Sequence, residues 1–94
     1  MFRKLRGVRL SYIEQGVIYF TCMNYKNLPE TTKEKIRNLC KEVCAICREE
    51  ADIYEKALLE FVTNQYTGAT GIVMQHHVSD KMLYRLRRKF YELW

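Results

Sequence analysis

The chain has 94 residues, 48% hydrophobic and 29% charged, with only one Pro and four Gly. That length supports one domain (residues 1–94) with a modest core, and that balance excludes a disordered tail. The net charge of +5 sits at the two ends: an acid-free stretch with Arg3, Lys4, Arg6 and Arg9, and a C-terminal third with Lys81, Arg85, Arg87, Arg88 and Lys89 against Asp80 and Glu92. An acidic middle with basic ends suits a nucleic-acid binder carried on a separate helical body, and equally a solvated basic surface.

The first ten residues resemble the charged start of an export signal, but Glu14 and Gln15 interrupt the segment after them and no small-residue cleavage site is present. No run approaches a membrane span. The expectation is a soluble protein of the cytoplasm, with Cys22, Cys40, Cys44 and Cys47 as reduced thiols. Few breakers and many helix formers give an all-α fold class.

Ser11-Tyr12-Ile13-Glu14 fits a capping box and opens a helix over about 12–25, with Ile13, Val17 and Phe20 as its core face. The run Val17-Ile18-Tyr19-Phe20-Thr21 also has strand-like composition. Asn27-Leu28-Pro29 ends this element. Thr31-Thr32-Lys33-Glu34 reads as a second capping box. Apolar positions at Ile36, Cys40, Val43, Cys47, Tyr54, Leu58 and Phe61 then carry either one long helix across about 32–64 or two helices that meet near Ala51, where the spacing is poor; one long or kinked helix is the favoured reading. Residues 12–64 form the helical body. Asn64-Gln65-Tyr66-Thr67-Gly68 is a loop.

Residues 69–93 read as a helix-turn-helix: a short helix over Ala69 to His76, a tight turn at His77-Val78, Ser79 as N-cap and a final helix from Asp80 to Leu93. Ile72, Val73, Val78, Leu83 and Leu86 fall where two crossed helices pack together. His77 falls where the turn requires a left-handed backbone, a place for Gly that His tolerates better than most residues. Lys81, Tyr84, Arg85 and Arg88 fall on the face that would look into a DNA major groove. Arg85, and more weakly Lys81, have the donors to read guanine. Thr70, Ser79, Arg87 and Lys89 are placed to hold phosphates, with a salt-dependent contribution from the basic run. Arg3, Lys4, Arg6 and Arg9 form a basic arm that adds attraction or enters a minor groove. The competing reading is an amphipathic terminal helix with a solvated basic flank, buried through Leu83, Leu86, Phe90 and Leu93.

The segment Val78-Ser79-Asp80-Lys81-Met82-Leu83-Tyr84-Arg85-Leu86-Arg87-Arg88-Lys89-Phe90 resembles the closing half of the DNA-binding motif in sigma-region-four-like phage regulators, in particular small late-gene regulators of the RinA and ArpU kind. With the helix before it, the resemblance covers the last quarter of the chain. Tyr25-Lys26-Asn27-Leu28-Pro29-Glu30, followed by Lys35-Ile36-Arg37, is similar to short proteins of bacteriophages of gut Firmicutes. The resemblance implies a prophage-encoded transcriptional regulator that binds double-stranded DNA in a bacterial cytoplasm.

Cys40, Cys44 and Cys47 have the C-x3-C-x2-C spacing of iron–sulfur loops in radical SAM enzymes, but helical spacing lines them up with Ile36 and Val43 as core thiols. Cys44 and Cys47 with His76 and His77 would make a four-ligand zinc set only if both adjacent histidines reached one ion. The expectation is no metal and no other cofactor. No Gly-rich phosphate loop, Ser/His/Asp arrangement or close carboxylate pair is present, so neither an enzyme nor a small-molecule substrate is expected. The alternative function is a helical protein-interaction module. In it the long helix and the apolar tail Phe90, Tyr91 and Trp94 form a homodimer or dock on RNA polymerase.

Overall fold

The computed structural model describes residues 2–64 and 68–94. It is all-helical, with no strand among the described residues: α1 (Tyr12–Met23), α2 (Glu30–Cys44), α3 (Ala51–Thr63), α4 (Ala69–His76) and α5 (Asp80–Leu93). Short 3-10 turns at Tyr25–Asn27 and Ala45–Glu50 link α1 to α2 and α2 to α3. Of the loop expected before α4, residues 65–67 lie outside the described residues. α3 is the hub, packing against α1, α2, α4 and α5.

The capping box at the head of α1 forms as its sequence requires. Ser11 Oγ accepts from the Glu14 backbone N–H at 3.1 Å, and the Glu14 carboxylate accepts from the Ser11 N–H at 2.9 Å, satisfying two amides that the helix itself leaves free. That bonding holds the exposed Glu14 carboxyl below its ordinary pKa. The face of α1 that meets the core is not the expected one. Ile13, Val17 and Phe20 are 77%, 58% and 60% exposed, whereas Gln15, Gly16, Ile18 and Cys22 are buried. The helix is apolar nearly all round, so hydrophobicity alone could not choose its inner face.

Gln15 explains the choice. Its Oε1 accepts from the Leu5 N–H at 2.7 Å and its Nε2 donates to the Leu10 carbonyl at 3.0 Å. It satisfies the backbone of an N-terminal segment folded over α1, so a fully buried amide has its partners. Gly7, at φ +79°, makes the turn in that segment, a conformation that glycine adopts without the Cβ penalty. Phe2 and Val8 are buried at either end of it, with the Phe2 ring 5.3 Å from Tyr12 and 5.0 Å from Tyr19. Residues 2–10 are therefore part of the body and not a free arm.

The second expected capping box does not form. α2 starts at Glu30, two residues earlier, with Pro29 as N-cap and no side-chain cap; the Pro29 carbonyl accepts from Thr32 and Lys33 at 3.0 Å each. Over 32–64 the favoured single helix does not form; the other alternative does, with α3 starting at Ala51. A continuous rod of that length would run about 50 Å, while the longest extent of the molecule is 33 Å. The break falls at 45–50, where Arg48 takes φ 52°, ψ −111°. α2 and α3 then pack side by side, so Ile36, Leu39, Cys40 and Val43 share a core with Tyr54, Ala57, Leu58 and Phe61. The stripe is apolar as its spacing predicts, but its two halves meet each other. A strained non-glycine residue costs on the order of 1–3 kcal/mol, and closing the two stripes together offsets it.

Cys22, Cys40 and Cys44 are buried and Cys47 is half-buried, all as free thiols. Burial pushes the Cys22 and Cys44 thiols up to about 12 and the Cys40 thiol higher still.

Candidate functional site

α4 and α5 are set by one residue. His77 adopts the left-handed conformation (φ 57°, ψ 46°), and its N–H donates to the Val73 carbonyl at 2.9 Å. The chain leaves α4 there, buries Val78, and restarts at Ser79. Ser79 Oγ accepts from the Met82 N–H at 3.3 Å, while its own backbone N–H donates to the Tyr54 hydroxyl at 2.9 Å. His76 Nε2 lies 2.6 Å from Glu60 Oε2. Two polar contacts thus fasten the turn to α3. Sequence reading missed this use of Tyr54 and Glu60, since nothing local marks a partner 16 or 25 residues away.

α5 has sharp amphipathic contrast. Leu83, Leu86 and Phe90 are completely buried, Tyr91 nearly so. Burying side chains of this size stabilises by about 1.5–3 kcal/mol each. The opposite side carries the cations. Lys81, Arg85 and Lys89 are exposed, as are Thr70 in the first turn of α4 and Ser79 at the start of α5. Asp80 Oδ1 accepts from the Lys81 backbone N–H at 2.8 Å, and neither ion pair among the described residues uses the Lys81 ammonium. Tyr84 is divided: 38% exposed, its ring stands edge-on to Phe61 at 5.7 Å.

Arg87 and Arg88 are only half-exposed. The Arg87 guanidinium carbon lies 4.5 Å from the Phe61 ring centre and 5.2 Å from that of Tyr84, cation–π contacts that fix it against the body. Its Nε is closed to solvent and has no hydrogen-bond partner among the described residues, and desolvation lowers its pKa from the ordinary arginine value. Arg88 lies beside the N-terminal turn, 3.6 Å from where a Cβ on Gly7 would sit. The two basic ends of the sequence therefore meet in space. Of the expected groove-facing set, Lys81, Arg85 and the edge of Tyr84 are open and Arg88 lies against the N-terminal turn; Arg87, expected to hold phosphate, is held at the body.

The apolar tail is mostly core. Phe90 and Tyr91 are buried, and Trp94 packs under the Lys35 ammonium, 4.3 Å from its ring centre. An exposed apolar stripe lies instead on α1, where Tyr12, Ile13, Val17 and Phe20 line a groove of about 600 Å³ with Phe2 and Leu28. Among the described residues no group of three or more His, Cys, Asp and Glu is placed to hold a metal ion, so Cys44, Cys47, His76 and His77 are not brought together. No helix among the described residues is long and apolar enough to cross a membrane. In comparison with known proteins, no family model, curated protein or solved structure matches this chain.

Proposed function

We propose that this protein binds double-stranded DNA through a helix-turn-helix formed by residues 69–93, as a phage or prophage transcriptional regulator of the RinA/ArpU-like, sigma-region-four-like kind working in a bacterial cytoplasm. The observation that carries the reading is the placement of Lys81 and Arg85. Both are exposed on the first two turns of a helix whose opposite edge, Leu83 and Leu86, is fully buried. A recognition helix needs this arrangement: its early turns free to enter a major groove, its back braced by the helix before the turn.

In this reading Arg85 reads a base edge bidentately, Lys81 reads or neutralises, and the exposed edge of Tyr84 contacts the groove wall. Thr70, Ser79 and Lys89 take phosphate oxygens from the two flanks, and Arg87 and Arg88 act from the body side. No enzyme activity, cofactor or small-molecule substrate belongs to this proposal.

Selection of bound duplexes from a random pool at near-physiological salt tests it. The expected result is enrichment of a short motif, with relaxed preference at one position in Arg85→Ala. A pool that stays random through successive rounds would contradict sequence-specific reading.

A second reading has its own supporting observation. The exposed stripe of Tyr12, Ile13, Val17 and Phe20 on α1 is the kind of surface that proteins cover with a partner, either a second copy of this chain or RNA polymerase. Here the chain is an interaction module, and α1 takes the role expected of the C-terminal aromatic tail. Binding to a protein partner that ignores Lys81→Ala and Arg85→Ala, with no affinity for duplex, would favour it.

A further inference from the structure

Beside the open face of α5 lies a cleft of about 480 Å³ between the folded N-terminal segment and the C-terminal half of the helix. Arg3, Lys4 and Arg6 of the N-terminal segment and Arg87 of α5 line it, together with Tyr19 and Tyr91. Among the described residues no carboxylate lines it. The ion pairs among the described residues, Arg37 with Glu30 and His76 with Glu60, use none of these cations. On the body side the Arg87 guanidinium lies over the rings of Phe61 and Tyr84. Gathering like charges around one concavity with nothing to neutralise them costs folding free energy. A protein recovers that cost when an anion enters.

We propose that this cleft is a phosphate site, held by Arg3, Lys4 and Arg6 from the N-terminal segment and by Arg87 from α5. The chemistry selects phosphate over a simple carboxylate. Three arginines from two separate segments line it, which suits an anion with acceptor oxygens on several sides, and arginine forks match phosphate geometry. The hydroxyls of Tyr19 and Tyr91 add neutral donors. Tyr91 keeps its proton well above neutrality because burial raises its pKa. The turn at Gly7 and the bond from Leu5 to Gln15 fix the wall that carries the three exposed cations, so the site is organised before any ligand arrives. The phosphate can come from a nucleic-acid backbone or from a free phosphorylated molecule. This site stands on its own geometry and does not require that α5 read DNA.

The test is a titration of the full chain followed by NMR, watching the Arg87 Nε–H and the Leu5 amide. Added pyrophosphate should shift both signals saturably. Sodium chloride at matched ionic strength should not. In the variant Arg3→Gln, Lys4→Gln, Arg6→Gln, whose far-ultraviolet circular dichroism checks that it folds, the half-saturating concentration should rise at least about tenfold, the loss expected when several charge-assisted contacts go. A short duplex that displaces pyrophosphate and moves the same signals assigns the site to backbone phosphate. A duplex that moves only Lys81 and Arg85, or nothing, assigns it to a free phosphorylated ligand. The second of those results, no effect of duplex at all, counts against DNA binding while leaving this site standing. Linear shifts equal to those with chloride, or a variant that titrates like the natural chain, overturn the proposal.

Discussion

α1 and α5 are both helices at the surface of the same core, and they differ in how much of their placement is written in their own residues. α5 buries Leu83, Leu86 and Phe90 completely and turns charged residues outward, a contrast so strong that only one orientation is reasonable. α1 has Tyr, Ile, Val and Phe on every side, and it buries a glutamine while leaving Ile13 77% exposed. Amphipathic contrast, not apolar content, fixes which way a helix faces. Where contrast is missing, a few specific polar bonds decide. For α1 they are the two from Gln15 to the N-terminal backbone.

The interface between the two helices can be broken first by pH. Cys22 on α1 and Tyr91 on α5 both have pKa values raised by burial, Cys22 to about 12, and Cys40 and Cys44 are raised in the same way. From about pH 9 for the thiols and about pH 10 for the tyrosine, their ordinary values, the unfolded chain releases these protons while the folded chain keeps them. Stability is therefore fully present below pH 9 and falls as pH rises toward the folded values. Urea midpoints should be flat from pH 7 to 8 and drop steeply by about pH 10.5, the largest effect expected here. A midpoint unchanged at pH 10.5 would mean that the thiols are not buried as described.

Next in size, Leu86→Ala on the sharply amphipathic helix should cost about 2–5 kcal/mol in denaturant unfolding, by loss of burial and creation of a cavity. Gln15→Leu should cost about 1–3 kcal/mol despite adding an apolar side chain, because the Leu5 N–H and Leu10 carbonyl lose their partner. Hydrogen exchange at Leu5 should speed up in that variant; stabilisation would show that α1 is placed by hydrophobicity after all. Smallest, the double change Ile13→Ser, Val17→Ser should alter monomer stability by less than about 0.5 kcal/mol at each site. If sedimentation equilibrium finds the natural chain dimeric and this variant monomeric, the α1 stripe is the dimer contact.

Much of the candidate site was legible because its signals are local. Ser79 as N-cap, the left-handed position at His77 and the apolar spacing of Ile72, Val78, Leu83 and Leu86 all lie within one short stretch, and the helices start and stop where those residues place them. The capping box of Ser11 and Glu14 is local too. The illegible part depends on distance. The break at 45–50 carries no Gly or Pro and shows in the sequence only as poor apolar spacing near Glu50 and Ala51; the need of α2 and α3 to bury their stripes together bends the chain there. The folding of the basic N-terminal segment against Arg87 and Arg88 depends on Gln15 and Gly7 acting across the molecule. A charge count shows two basic ends but cannot show that they adjoin.

The central claim is that the open cations at the start of α5 meet duplex DNA, and the salt dependence of duplex binding by fluorescence anisotropy tests it most directly. The account predicts a log–log slope of affinity against salt that corresponds to several phosphate contacts and falls by about one unit in Lys89→Ala. Arg85→Ala should weaken binding by about 1–3 kcal/mol on a selected site and much less on random duplex. Absence of duplex binding at low salt, or a slope and affinity that both variants leave unchanged, would contradict it.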